Sequence, residues 1–450
     1  MSLVALAVAI LISLPVQDSV LASSDMIPTS RERVADWTHM KTWFDLDESA
    51  SETRRAEGLK TLDEHITGHV PFTDAEFYME LRRLAALADN GHSNVTERPL
   101  YRQFGLLPLR AYWFSDGLYV VRGQADQAEL IGARITSIDG RPLDEVEAHL
   151  QQFNGGTDAF FRRYLGPGLV FCPAALHAVG LANHPQRLTL GSLTEAGEAQ
   201  VHTVSVDRES SLIVDRPWRY LSPVPLQGET DWVTAYGTEN EVPLYLREPS
   251  KTFRYELLRD GELAYIQLRA NIGFGAESIE QFVEEATRRL KEDMPLSILL
   301  DNRQNGGGDL TTTAHFGLSL PDLAYKEGQV YVMTGSATFS AGIYTSYFPK
   351  AKDASRTKIV GEPVGDRGRF WAETSADRFV LPESGYGVGH SLQLHDIEEG
   401  CFDAKLCHMA RHRKAWNLQL GSMDVDWPVS TTFAHFMAGR DPVLERIMGQ

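Results

Sequence analysis

Two stretches hold residue types that can do chemistry together: Asp301-Asn302-Arg303-Gln304-Asn305-Gly306-Gly307-Gly308 and Ser336-Ala337-Thr338-Phe339-Ser340-Ala341-Gly342. Three consecutive glycines let the main chain reach conformations and approach distances that a Cβ forbids. One loop can therefore present backbone N–H groups to a developing negative charge. The other offers the hydroxyl of Ser340. A serine nucleophile also needs a base to take its proton, and the base needs a group to orient it. His92 is the candidate base, because it follows Asp89-Asn90-Gly91, a strong helix stop, and so sits on a loop open to a cleft. Each residue also has an ordinary reading. A serine at such a turn more commonly caps a helix, and a loop histidine is commonly just solvated.

The elements that must position these residues can be read from periodicity. Ser297-Ile298-Leu299-Leu300 and Gln329 to Thr334 are short apolar runs that read as buried strands, each delivering its C-terminal end to one of the two loops. Glu262 to Arg269 predicts a strand and Ser278 to Lys291 a helix, with Ser278 and Gln281 as a capping box. Strand, helix, strand implies a right-handed crossover and a parallel pair, hence an α/β region. Ala341 to Phe348 predicts a helix that places Ser340 at its N-terminus, where the dipole favours negative charge. Upstream, 30 to 89 reads as helical, with Thr73 and Glu76 as a capping box. Leu106 to Val206 is β-rich. In it, Gly132 to Gly140 reads as a strand running into an Asp-Gly turn, followed by a helix over Leu143 to Phe153. This is the shape of a PDZ-like module. Asp207 to Leu258 shows no clean period and reads as a linker, and Thr431 to Met448 reads as helical.

A chain of 450 residues exceeds one ordinary core, and 43% hydrophobic with 23% charged residues is a globular composition. The net charge of -18 argues against nucleic acid or an anionic membrane as partner. Leu3 to Val16 is too short to span a bilayer. With Val20-Leu21-Ala22 after it, it predicts an export signal cleaved after Ala22, although no Lys or Arg precedes the run. Cys172, Cys401 and Cys407 are the only cysteines. Cys401 and Cys407 are close enough to close a small loop in an oxidising compartment. With His408 and His412 they could instead ligate zinc, or remain free thiols, and the spacing matches no common zinc finger.

Taken in order, Asp89-x-Gly91-His92-Ser93, Gly132 to Gly140, Asp301-x-Arg303-x-Asn305-Gly306-Gly307-Gly308, Thr338-Phe339-Ser340-Ala341, Val360-Gly361-Glu362-Pro363-x-Gly365 and Arg440-Asp441-Pro442-x-Leu444-Glu445 resemble the S41 serine peptidases. That family includes tail-specific and tricorn-type proteases. The resemblance covers most of the chain after about residue 75. It implies an α/β fold of the α+β multidomain kind, with a ClpP/crotonase-like catalytic core. The expected division is a signal at 1–22, a helical region at 23–105 carrying His92, a PDZ-like domain at 106–215 and the catalytic domain at 216–450.

Carried over by position, the resemblance implies Ser340 as nucleophile, with an oxyanion hole from Gly306 or Gly307 together with Ala341. Tail-specific members use a lysine base, but here Asp366 stands at that position and Arg367 stays protonated. The histidine branch is the one His92 matches. Glu373 is the expected acid, with Glu399, Asp424 or an uncharged group as alternatives, while Glu362, Asp301 and Arg303 are expected to be structural. The function so implied is an exported serine endopeptidase, periplasmic or extracellular, acting without cofactor or metal on extended or unfolded polypeptide. The alternatives are a non-catalytic protein binding a small apolar ligand or peptide on the same scaffold, and a plain esterase. The oligomeric state is left open by the sequence.

Overall fold

The computed structural model describes residues 31–156, 168–211, 218, 221–222, 224–226, 228–236, 242–372 and 379–449. The expected export signal and Glu373 lie outside them.

Three helices come first: α1 (Val34–Leu46), α2 (Glu52–Thr67) and α3 (Asp74–Ala86). α1 turns Trp37, Met40, Trp43 and Phe44 inward, all fully buried, at the spacing of one helical face. α3 begins with the reciprocal Thr73/Glu76 capping box and ends before Asp89, whose φ of 49° turns the chain away from the helix.

Next come β1 (Leu109–Phe114), β2 (Gly117–Gln124), β3 (Arg134–Ile138), β4 (Arg141–Pro142), α4 (Leu143–Leu150), β5 (Arg187–Leu193), β6 (Ala199–Ser205) and β7 (Trp232–Thr234). These strands make one antiparallel sheet in the order β1-β2-β3-β5-β6, with β4 on β3 and β7 on β2. Asp139 (φ 47°) and Gly140 (φ 80°) form the hairpin turn between β3 and β4. β7 lies beyond the expected boundary at residue 215, yet it pairs with this sheet.

The second half alternates strand and helix: β8 (Phe253–Leu258), β9 (Leu263–Leu268), α5 (Ile279–Asp293), β10 (Ser297–Asp301), α6 (Ala314–Leu323), β11 (Val330–Thr334), α7 (Ala341–Lys352) and β12 (Thr357–Gly361). Then follow β13 (Arg369–Ala372), β14 (Phe379–Val380), β15 (Gly387–Val388), β16 (Gln393–Asp396), α8 (His408–His412), β17 (Trp427–Pro428), α9 (Phe433–Met437) and α10 (Pro442–Met448). A six-stranded sheet runs β17-β12-β11-β10-β9-β8, parallel except for the β8 edge. Ile298, Leu300, Val330, Val332 and Ile359 face α5, α6 and α7, while Leu299, Tyr331, Met333 and Val360 face α10. Burial on both faces is why these strands read as continuous apolar runs rather than alternating ones.

Three further expectations differ from the structure. Phe253–Leu258 is not linker but the edge strand β8, and the final helical stretch is two short helices broken at Ala438 to Asp441. The Ser278 cap is one-sided: its Oγ accepts from Gln281 N at 3.3 Å and donates to Glu280. Among the described residues no helix is long and apolar enough to cross a membrane.

Candidate functional site

The C-terminal ends of adjacent parallel strands are where ligand sites form in α/β sheets, because the loops there fan out over the sheet edge. β10 and β11 end side by side, and their loops are stitched together. Phe339 N donates to Asn305 O (2.9 Å), and Thr338 Oγ1 donates to Asn302 O (2.8 Å). The fit is close enough to require two glycines. A Cβ on Gly342 would lie 2.4 Å from Asn305 O, and one on Gly307 would lie 2.6 Å from Ser340 Cβ and 3.1 Å from Ala341 N.

Ser340 is the N-cap of α7 and holds φ 55°, ψ -127°. For a residue with a Cβ this backbone costs about 1–3 kcal/mol, so the surrounding bonds must over-determine it. No Gly-x-Ser-x-Gly pattern announces this sharp strand-to-helix turn in the sequence, although the conformation serves the same purpose of exposing Oγ.

His92 reaches Ser340 from 248 positions away, with Nε2 at 2.9 Å from Oγ. Its ring lies between Phe339 (centroids 4.5 Å apart, 26°) and Phe370 of β13 (5.8 Å, 14°). The loop beneath the ring is pinned by Asn94 Nδ2 donating to Gly91 O (2.7 Å), Gly389 N to Asn94 O (2.7 Å) and Thr96 N to Gly387 O (2.9 Å). Arg367 pairs with Asp89 at 2.8 Å, and Gly365 N donates to Thr338 O at 2.8 Å. The segment holding Asp366 and Arg367 therefore bridges the histidine loop and the serine turn.

The three candidate oxyanion donors differ. Gly307 N–H donates to Asn305 Oδ1 at 3.0 Å. The N–H groups of Gly306 and Ala341 donate to no acceptor among the described residues, and Ala341 opens the first turn of α7, where N–H groups lack intrahelical partners. Of the alternatives for the acid, Glu399 and Asp424 are exposed at the surface. Nothing in the sequence announces the Phe339 and Phe370 walls, since both look like ordinary strand or turn aromatics.

Mature CPAF in complex with lactacystin matches 93% of this chain and 97% of its own, with a TM-score of 0.58 and 13% identity. Mature CPAF alone matches 93% and 95%, at 0.55 and 12%. The chain shares the fold of mature CPAF. A looser likeness, TM-score 0.40 and 12% identity over 92% of this chain and 98% of the other, is to the photosystem II D1 C-terminal processing protease. The sequence matches no protein-family model and no curated protein.

Within this fold, the residues expected to be structural hold the glycine loop from below. Asp301 accepts from Arg303 and from Tyr265 Oη (2.8 Å), and Arg303 forms a bidentate pair with Asp441 at 2.9 and 2.8 Å. Burial pushes Asp301 up, but the charge and hydrogen bonds of Arg303, with the Tyr265 hydroxyl, outweigh it and hold the carboxyl below its usual range. Glu362 is shifted the other way, raised by burial that Ser430, Thr431 N–H and Arg303 only partly offset. Cys401 and Cys407 form a disulfide, and Cys172 is a buried thiol that burial pushes up to about 12. Among the described residues no group of His, Cys, Asp and Glu has the arrangement of a metal site.

Proposed function

We propose that this protein is a serine endopeptidase of the histidine-based S41 type. The observation that carries the proposal is the 2.9 Å approach of His92 Nε2 to Ser340 Oγ across 248 residues, at a serine held in a sparsely populated backbone conformation. Ser340 Oγ attacks the peptide carbonyl while its proton passes to His92 Nε2. The oxyanion accepts from Ala341 N–H and Gly306 N–H, and Gly307 gives the close approach that lets both reach it. His92 then returns the proton to the leaving amine. Water, deprotonated by His92, opens the acyl-enzyme and restores Ser340. Glu373 is the proposed acid behind His92.

The substrate is extended or unfolded polypeptide, which the β1 to β7 sheet helps to position as a PDZ-like module. The Cys401–Cys407 disulfide fits export to an oxidising compartment. A fluorophosphonate probe is expected to label the wild type and not Ser340→Ala. His92→Ala is expected to lose hydrolysis of an unfolded protein substrate with its circular dichroism unchanged. Equal labelling of Ser340→Ala, or full activity in His92→Ala, would overturn the reading. CPAF binds lactacystin, so lactacystin should compete with the probe.

A further inference from the structure

Asp47, at the C-terminal end of α1, is fully buried and takes no part in the reaction as written. Its carboxylate accepts five hydrogen bonds. Oδ1 takes Ser49 N (2.9 Å), Ser49 Oγ (2.5 Å) and Ala50 N (3.2 Å), while Oδ2 takes Ser93 Oγ (2.5 Å) and Ser391 N (2.9 Å). Among the described residues it has no ion-pair partner; Arg55 donates to its backbone oxygen instead (2.7 Å). A carboxylate this deeply buried persists only if donors saturate it, and here they do.

The bonds to Ser49 and Ala50 shape the chain just past α1. Those to Ser93 and Ser391 reach 46 and 344 residues away and are not needed to end a helix. They act on the histidine. Ser93 follows His92 directly, and Asn90, two residues before it, donates from Nδ2 to Ser391 Oγ (2.6 Å) and to Ser93 Oγ (3.2 Å). Ser93 and Asn90 are themselves buried. Both sides of His92 are thus fixed to one node. The aromatic walls limit ring tilt, but the backbone of 90 to 94 decides whether Nε2 meets Oγ, and errors of about 1 Å in such a contact cost about 100-fold in rate.

We propose that Asp47 is the positioning residue for His92, holding its loop in place and, as a buried negative charge beside it, favouring the imidazolium that forms when Ser340 gives up its proton. This role rests on the Ser340/His92 reading. Arg54, Glu57, Arg83, Asp366, Arg367 and Arg369 line the cleft beside Asp89 and Asn90, Arg55 donates to Asp47 O, and none of them is changed in the variants below.

Asp47→Asn keeps the shape but turns one acceptor into a donor and removes the charge. Expected are a kcat lower by about 10- to 100-fold, an unchanged KM, and an acid limb of the kcat/KM profile moved to lower pH. Wild-type kcat with an unmoved acid limb, even alongside a lower thermal midpoint, would overturn the proposal. Should Asp47→Asn fail to fold, Ser93→Ala decides: it removes one hydroxyl from the node and is expected to lower kcat several-fold at constant KM, and wild-type kcat overturns the role. Fluorophosphonate labelling separates the two readings. A labelled wild type with unimpaired variants rejects the positioning role alone, whereas an unlabelled, inactive wild type rejects the serine reading and this role with it.

Discussion

Gly307 is the residue on which the geometry around Ser340 is least forgiving. Its φ of 98° disfavours any side chain, and a Cβ there would fall 2.6 Å from Ser340 Cβ and 2.9 Å from Phe339 O. Gly307→Ala must therefore push the glycine loop off the serine turn. Hydrolysis is expected to fall by about 100-fold or more, with fluorophosphonate labelling slowed in parallel and little change in secondary structure. Labelling at the wild-type rate would show that the two loops can separate without consequence. The three glycines were legible as a backbone-exposing loop, but their different duties were not. Gly306 has open space where its Cβ would be, Gly307 meets the serine, and Gly308 meets Asn271 and Ile272. Ser340 was legible as a helix N-cap. Its strained conformation was not, because strain of this kind is imposed by neighbours distant in sequence.

Between the residues and the whole lies the pair β13 and β16. Phe370 stacks on His92 from one side and on His395 from the other (5.0 Å, 3°), and His395 stacks on His408 (5.3 Å, 19°), which follows Cys407. The disulfide loop joins the same strand, with Leu394 N donating to Leu406 O at 2.7 Å. Replacing Cys401 and Cys407 by alanine releases a loop of sequence separation 6 and removes about 2 kcal/mol of loop-closure stabilisation. If all of it falls on this element, exchange of the Leu394 amide rises about 30-fold. Unchanged exchange would mean that the strand pairing alone holds the loop. The parallel strands were readable because double-sided burial leaves unbroken apolar runs. β8 was not, because its pattern inverts the usual alternation, with Arg254 buried and Leu257 exposed, and because it ran on from a Pro- and Tyr-rich stretch. The Phe379–Val380 and Gly387–Val388 hairpin packs into the core of α1 and α3 rather than that of the strands preceding it. No local pattern can reveal such a long-range choice.

At the scale of the whole molecule, the network of Asp301, Arg303 and Asp441 ties the last helix to the central sheet, since Asp441 also caps α10 through Val443 N and Leu444 N. Removing Arg303 leaves two carboxylates buried without their cation. Arg303→Met is expected to cost about 3–5 kcal/mol at pH 7. The pH dependence carries the sign. Asp301 is held below its ordinary value, so its stabilisation is present above the unfolded value near 3.9 and lost as pH falls through the depressed folded one. In Arg303→Met burial acts unopposed by that cation, the folded carboxyl titrates above the unfolded one, and this contribution is lost as pH rises. Urea midpoints from pH 3 to 6 should therefore show opposite slopes in the two proteins once differences common to both are subtracted. Parallel curves would mean that Arg303 does not hold Asp301 charged.

The distances along the chain also set a timetable. His92 leaves the ribosome 248 residues before Ser340, but the node at Asp47 waits for Ser391, and Arg303 waits for Asp441. At roughly 5–20 residues per second, about 5–20 s pass between synthesis of the serine and of the last residue that braces its site. A nascent chain that already carries Ser340 and His92 thus lacks the framework that aligns them, and under the proposed mechanism hydrolysis is expected only once synthesis is nearly complete.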